Sequence, residues 1–509
     1  MTPTDKNESQ TRQDQPQAPQ APNGLQEPSK DQGGKPQQQA AAPEQVSRLG
    51  TATLTKLMAE FAIPAIIGLV VNGLYNIIDS IFLGHGVGPI GLATATIAMP
   101  IMIVGMAIAI LVGQGGNSLA ALRLGAGKHD EAEKVMGNTF TLTIIAAVVC
   151  TALALVFIDP ILSISGATAE TWESARTFLL IIVAGMVLQF IGMGFNNFIR
   201  TAGDPNRALY TMVAGTIICI ALNFLFVMVF HWGVAGSALA TILGQAVSAL
   251  LVMWYFVCST KAPFKLRRKH LRLNWRLVRS ILALGSAPFV LQIANALINF
   301  VLNNQLNLLG AAHPIGADGA LAAIGLVGRV AMFAFFPILG VAMAAQPLFG
   351  YNYGARNYAR VKTTFKIATV WVTAIGVFFW AVIHLFPQQI VLLFGVSNEL
   401  LHFTVAALKV QMFMMPLIGV QVVAAQYFQS TGQPLRAMFL SMTRQLLYLI
   451  PLMFLLPVVI TSVFPALTPL DGLYYSYPIA DALSIITCAI FILFEFRKLN
   501  AKIHKEQKS

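Results

Sequence analysis

"IRTAGDPNRALYTM", residues 199–212, returns near the other end of the chain as "FQSTGQPLRAMFLSM", residues 428–442. Gly203, Pro205, Arg207 and Ala208 fall on Gly432, Pro434, Arg436 and Ala437 at an offset of 229 residues, and Gly125-Ala126 falls on Gly354-Ala355 at the same offset. Separate segments that share one offset mark an internal repeat. Each half carries six apolar stretches of roughly 20 residues or more, the length that crosses a hydrocarbon core of about 30 Å as a helix. The first six are placed near 57–83, 91–120, 134–158, 174–199, 207–230 and 236–258. The second six are placed near 278–309, 320–349, 362–386, 400–428, 436–460 and 472–496. Strand-period alternation is not visible in them, which favours helices over a barrel. Six is an even number, so both halves enter the membrane in the same sense, as parallel repeats about an axis normal to it. The expected fold is an all-α integral membrane protein: twelve transmembrane helices in two pseudo-symmetric six-helix lobes. Two lobes facing one another suit alternating access.

Composition agrees. The 509 residues are 56% hydrophobic and 11% charged, against roughly 25% charged in a soluble domain. Most of the surface must therefore face something other than water. The net charge of +12 could suggest a nucleic-acid partner, but the placement of the basic residues argues against one. "GHGVGP", "DPILSISGATAETW", "HWG", "GAAHPIGADG", "FPQQIVLLFGVSN" and "SVFPALTPLDG" contain no Lys or Arg. The alternate connections, among them "RLGAGKHDEAEK", "KAPFKLRRKHLRLNWR" and "YGARNYARVK", each carry several Lys or Arg. The positive-inside rule puts the basic set and both termini in the cytoplasm, so the charge is chiefly a topology signal. The implied organisation is a Gln/Pro-rich tail over 1–48, expected to be disordered; a first lobe over 49–258; a basic linker over 259–277; a second lobe over 278–497; and a basic tail over 498–509.

No enzyme signature is present. The four cysteines form no CxxC pair and the eight histidines no HExxH, so no metal centre is suggested. "GVGPIG" (86–91) fits GxGxxG but follows a membrane helix instead of a strand, which makes a nucleotide site improbable. Walker A and GxSxG motifs are missing. No cofactor is expected.

The informative residues are polar ones inside the apolar spans. In "LVVNGLYNIIDSIFLG" (69–84), Asp79 lies among Ile77, Ile78, Ile81, Phe82 and Leu83, with Asn76 and Asn72 about one and two turns before it. A carboxylate at that depth costs several kcal/mol unless something compensates it. It is either an interfacial, hydrogen-bonded Asp or a cavity group that exchanges a cation. Gln292, Asn295 and Asn299 repeat the pattern on one face of the seventh span. They would line a cavity or act as interhelical glue, and cavity lining is favoured. Arg329, Lys409, Arg444 and Asp481 are further intramembrane charges, and a structural ion pair is the expected role for each.

"AMAAQPLFGYNYGARNYARVK" (342–362) resembles the Q-P-x-x-G-Y-N-Y-G-A signature of the MATE (multidrug and toxic compound extrusion) transporters. "FNNFIRTAGDPNRA", "GVAGSALATILGQ", "TRQLLYLIPLMFLLP" and "YPIAD" are similar to further blocks of that family, in order over roughly residues 55 to 497. The resemblance implies two lobes and export of organic, cationic substrates on a H⁺ or Na⁺ gradient. It also implies that Asp79 is the cation-coupling acid of the first lobe, with Asn223 and Thr241 at matching positions. Relatives often carry N-x-x-x-D in the fifth helix; here "CIALN" puts Cys219 and Asn223 there. The second carboxylate is missing, so H⁺ is favoured over Na⁺, with Na⁺ at Asp79 the alternative. Asn196, Asn197 and Gln346, inside matching blocks, join Asn72, Asn76, Gln292, Asn295 and Asn299 as expected substrate-cavity residues. The chain is expected to work as a monomer in a bacterial inner membrane. The competing reading is a flippase for lipid-linked precursors, which should show a strongly cationic central cavity.

Overall fold

Apolar runs surrounded by lipid must satisfy their backbone hydrogen bonds internally, and helices do so. The computed structural model describes residues 44–259, 262–394, 398–465 and 467–506. Among these, ten single helices are long and apolar enough to cross a membrane, and two bent pairs raise the number to twelve. The spanning helices are α1 (Leu54–Gly86), α2 (Pro89–Gly125), α3 (His129–Val156), α4 (Trp172–Ala184 with Met186–Thr201), α5 (Pro205–Val229) and α6 (Gly233–Val257). The second set is α7 (Trp275–Gly310), α8 (Gly316–Gly354), α9 (Tyr358–Leu385), α10 (Asn398–Gln411 with Met415–Ser430), α11 (Pro434–Val463) and α12 (Pro469–Glu506). Each expected span falls on one of these helices. The bends, 51° in α4 and 47° in α10, sit at matching points of the two repeats. Of the expected tail, residues 1–43 lie outside the described residues, and 44–48 belong to a short helix, Glu44–Thr51.

The repeated motif is the turn from α4 into α5 and from α10 into α11. Gly203 (φ +88°) and Gly432 (φ +79°) take the left-handed conformation that ends the first helix of each turn. Pro205 and Pro434 then open the next helix, where a missing N–H costs nothing. The repeated arginines tie down the same end of each lobe. Arg207 pairs with Asp204 at 3.1 Å and lies over the Tyr255 ring. Arg436 pairs with Glu495 at 2.6 Å and lies over Phe428. Glu495 is only 1% exposed and also accepts from Gln433 (2.9 Å) and Tyr427 (3.2 Å). Arg436 itself is 42% exposed, but removing it strands the buried carboxylate of Glu495. Arg436→Met should therefore cost on the order of 3 kcal/mol of stability. Arg207→Met, whose partner Asp204 reaches water, should cost clearly less; equal losses of thermal midpoint would contradict this.

The lobes meet through α7 along α2 and through α8 along α1 and α2. The closest approaches are at glycines. A Cβ on Gly125 would press into the Tyr351 carbonyl oxygen of α8, and one on Gly354 into the Leu122 carbonyl oxygen of α2. These two glycines are the repeat pair Gly125/Gly354, so the seam is reciprocal. Gln346 donates to Ser118 across it at 3.1 Å. The seam lies at the end of the bundle that carries both described chain ends. There Arg360 donates to the Ala52 carbonyl (2.7 Å), and both Arg360 and Asn352 donate to that of Leu49. Lys502 donates to Tyr353 at the same end.

The basic linker is held by α3 for most of its length. Glu133 accepts from the Lys265 backbone N–H and pairs with Arg267, both at 3.1 Å. Thr141 donates to the Leu271 carbonyl (2.7 Å), and Asn138 accepts from the Asn274 N–H (2.6 Å). Burial, reinforced by the charge of Lys269, lowers the basicity of His270 in this linker. The linker thus rides on the first lobe as far as Asn274, where α7 begins.

Candidate substrate and ion site

The first lobe encloses a cavity of about 560 Å³ between α1, α2, α4, α5 and α6, with Met343 of α8 reaching in from the other lobe. That volume falls in the range of drug-sized sites. Of the expected residues, Asn72, Asn76, Asp79, Asn196, Asn197 and Thr241 line it. Asp79 is the sole carboxylate among its lining residues.

Asp79 is reached by two neighbouring helices. Asn223 of α5 donates its amide N–H to Asp79 Oδ1, and Ser237 of α6 donates its hydroxyl to the same oxygen at 3.0 Å. Asn223 is fully buried, and its own Oδ1 has no partner. Immediately after Asn223 the helix loosens into a π turn, Phe224–Val229, an irregularity that recurs at functional sites. Thr241, expected beside Asp79, is bonded to the Tyr75 hydroxyl at 2.8 Å. Ser237, one helical turn earlier on the same face of α6, takes that place. The oxygens of Asp79, Asn223, Ser237 and Thr241 are hard donors that suit a proton or a Na⁺ ion. Cys219 of α5 also lines the cavity and offers only sulfur. No group of three or more His, Cys, Asp or Glu fit to hold a metal occurs among the described residues.

Other expected members lie elsewhere. Gln346 is buried at the lobe seam and bonded to Ser118, away from the cavity lining. Gln292, Asn295 and Asn299 do not line this cavity. Asn295 accepts from Gln445 of α11 at 2.6 Å, and Asn299 turns back to the Asn295 carbonyl. The Gln445 bond ties α7 to α11, while Asn295 and Asn299 keep exposed surface. The expected ion pairs divide. Arg444 and Asp481 do pair, at 2.5 Å, with Asp481 1% exposed. Arg329 is exposed on α8, and neither it nor Lys409 has an ion-pair partner among the described residues. A cation that keeps access to solvent needs no fixed counterion. Lys409 instead borders a smaller cleft of about 290 Å³ with His384, Phe413 and Tyr475.

Sequence reading also missed Arg200, Tyr75, Gln189 and Gln245, all of which line the cavity. Arg200 stands one residue from the end of α4, where a basic residue reads as a membrane-edge charge.

The model of the MatE family matches residues 64–225 and 289–455, one match in each lobe. The chain belongs to the MatE family. Members of this family are efflux transporters and not enzymes. The multidrug export protein MepA of Staphylococcus haemolyticus is 25% identical, with 89% of this chain and 96% of that protein aligned. The probable multidrug resistance protein YoeA of Bacillus subtilis is 23% identical over 87% of this chain and 94% of its own length. Among solved structures, a MATE transporter in complex with MaL6 superposes with a TM-score of 0.82 at 25% identity, covering 90% of this chain and 99% of that one. A MOP-superfamily transporter from Pyrococcus furiosus, described as having a binding pocket of reversed polarity, gives 0.82 at 25% identity over 91% and 99%. As a MatE-family member the chain is a multi-pass membrane transporter that needs no cofactor, and its paired lobes are the twelve-helix fold read from the repeat.

Proposed function

We propose that the chain is a secondary active antiporter. It exports organic, cationic drugs or toxins by alternating access of the first-lobe cavity to the two sides of the membrane. The observation that carries this reading is Asp79: one carboxylate on the wall of a drug-sized cavity, held by an amide and a hydroxyl and facing no fixed cation within ion-pair distance among the described residues. Such a group can hold a cationic substrate or a coupling ion, and occupancy by one disfavours the other. The multidrug export assigned to relatives supports the substrate class. The basic end of the bundle, with both termini, is the cytoplasmic face of a bacterial inner membrane by the positive-inside rule, and one chain holds the whole cavity, so a monomer suffices. The single arginine on the cavity wall is far from the basic cluster a flippase for lipid-linked pyrophosphates would need.

Proton coupling is favoured over Na⁺ because the site has one carboxylate and Cys219 where a hard ligand would be needed. Purified protein in proteoliposomes, given ΔpH or a Na⁺ gradient separately, should export a lipophilic organic cation on ΔpH alone. Export driven only by Na⁺ would overturn the choice of ion. Cys219→Asn combined with Asn223→Asp adds a hard ligand and a second acid against Asp79. The double variant should become several-fold more Na⁺-stimulated at neutral pH than the parent, since a second anion strengthens cation binding and raises the proton affinity of the pair. An unchanged response to Na⁺ would count against Asp79 as the ion site.

A further inference from the structure

The cleft of about 290 Å³ in the second lobe is separate from the cavity of the first. It is lined by His384 of α9, by Lys409, Val410 and Phe413 of α10, and by Tyr475 and Pro478 of α12. Three of these side chains end in polar groups that the chain leaves unused. The Lys409 ammonium and the Tyr475 hydroxyl have no hydrogen bond or ion pair among the described residues. His384 stacks on Trp380 and directs Nδ1 at the Trp380 carbonyl, 2.9 Å away. A carbonyl can only accept, so the ring proton is on Nδ1 and Nε2 remains an acceptor.

The level of the cleft in the bilayer follows from α12. Glu495 pairs with Arg436 at the α10–α11 turn, the end of the bundle that carries the termini. Tyr475 is twenty residues earlier on the same helix, about 30 Å along its axis, the thickness of a hydrocarbon core. The cleft therefore opens at the opposite bilayer interface. The two connections at that end, 386–398 and 462–472, contain no Lys or Arg, and Lys409 is the one Lys or Arg of the lining. A lysine at this level meets lipid phosphates in place of a protein carboxylate. Phe413 and, further into the bilayer, Leu417 leave exposed apolar surface on the same helix.

We propose that this cleft binds one anionic phospholipid from the leaflet facing away from the chain termini. Its phosphate accepts from Lys409 and Tyr475, a head-group hydroxyl donates to His384 Nε2, and an acyl chain lies over Phe413 and Leu417. Lys409 stands just before the break in α10, so the bound lipid ties that half-helix to α9 and α12.

The test takes the full chain, delipidated in detergent, and offers it equal amounts of phosphatidylglycerol and phosphatidylcholine with the same acyl chains. Native mass spectrometry then counts the lipids retained. The two lipids share a phosphate and differ in net charge and in the glycerol hydroxyls. The parent should retain one phosphatidylglycerol about fivefold over phosphatidylcholine, the worth of one lysine at an anionic surface. Lys409→Gln should bring the ratio to about one, and Lys409→Arg should restore it. Arg329→Gln removes another exposed cation of the second lobe and should leave the ratio at the parent value. Inorganic phosphate in excess should not displace the lipid, because the acyl chain holds it as well. No preference in the parent, a preference that survives Lys409→Gln, or an equal loss in Arg329→Gln would overturn the proposal. Displacement by phosphate would do so too, since the site would then take a soluble anion. The readout involves no transport, so the proposal stands or falls apart from the export reading.

Discussion

Asp79→Asn is expected to reduce ΔpH-driven export to the level of protein-free vesicles, while the purified variant keeps nearly the stability of the parent. The exchange is isosteric, and the amide oxygen can still accept from Asn223 and Ser237, which both bond to one oxygen of the carboxylate. Replacing a carboxylate that is uncompensated by any fixed cation removes a desolvation cost, so folding should change by less than about 1 kcal/mol. Transport has no such substitute. An amide carries no charge and takes up no proton over the pH range of the cell, and no second acid lines the cavity. With no group that changes charge between the two facing states, the gradient has nothing to act on. Measuring export and unfolding midpoint on the same preparation separates the two effects. Near-parental export by the variant would move the coupling site out of this lobe.

Gly125→Leu combined with Gly354→Leu is expected to hold the lobes apart at the end that bears the termini and to abolish transport. Each new Cβ would lie inside the contact distance of a backbone carbonyl on the opposing helix. Overpacking typically costs 1–3 kcal/mol when side chains can yield; a carbonyl in a helix cannot yield without moving the helix. Reversing a 99:1 preference takes about 5.5 kcal/mol, which two backbone clashes can supply. Gly125 and Gly354 belong to different lobes, so the strain exists only while the seam is closed and each lobe should fold as before. Ser118 and Gln346 touch across this seam at 3.1 Å. Cysteines at those positions, in a background lacking the four native ones, should crosslink readily in the parent and at least tenfold less in the double-leucine variant. Equal crosslinking would mean that the seam is not the closing surface.

Sequence alone determined the number of spans, their division into two like halves and the presence of an acid, Asp79, deep in the apolar part of the first helix. Those are local properties. Apolar length decides what crosses a membrane, and a Gly-x-Pro-x-Arg turn is recognisable wherever it recurs. The family resemblance then made Asp79 the expected coupling acid, and the cavity wall includes it. Only the tertiary structure decided which polar residues meet. Helical spacing puts Ser237 and Thr241 on one face of α6 but does not say which reaches Asp79; the rotation and tilt of a membrane helix are set by packing against its neighbours. The same freedom left Gln292, Asn295 and Asn299 off the wall of the first-lobe cavity and put Gln346 in the seam. It also hid Arg200, whose place at a helix end reads as a membrane-edge charge. The bend in α4 and its packing against α5 bring that guanidinium inside, where no carboxylate of the described residues lies within ion-pair distance, a fact about other helices.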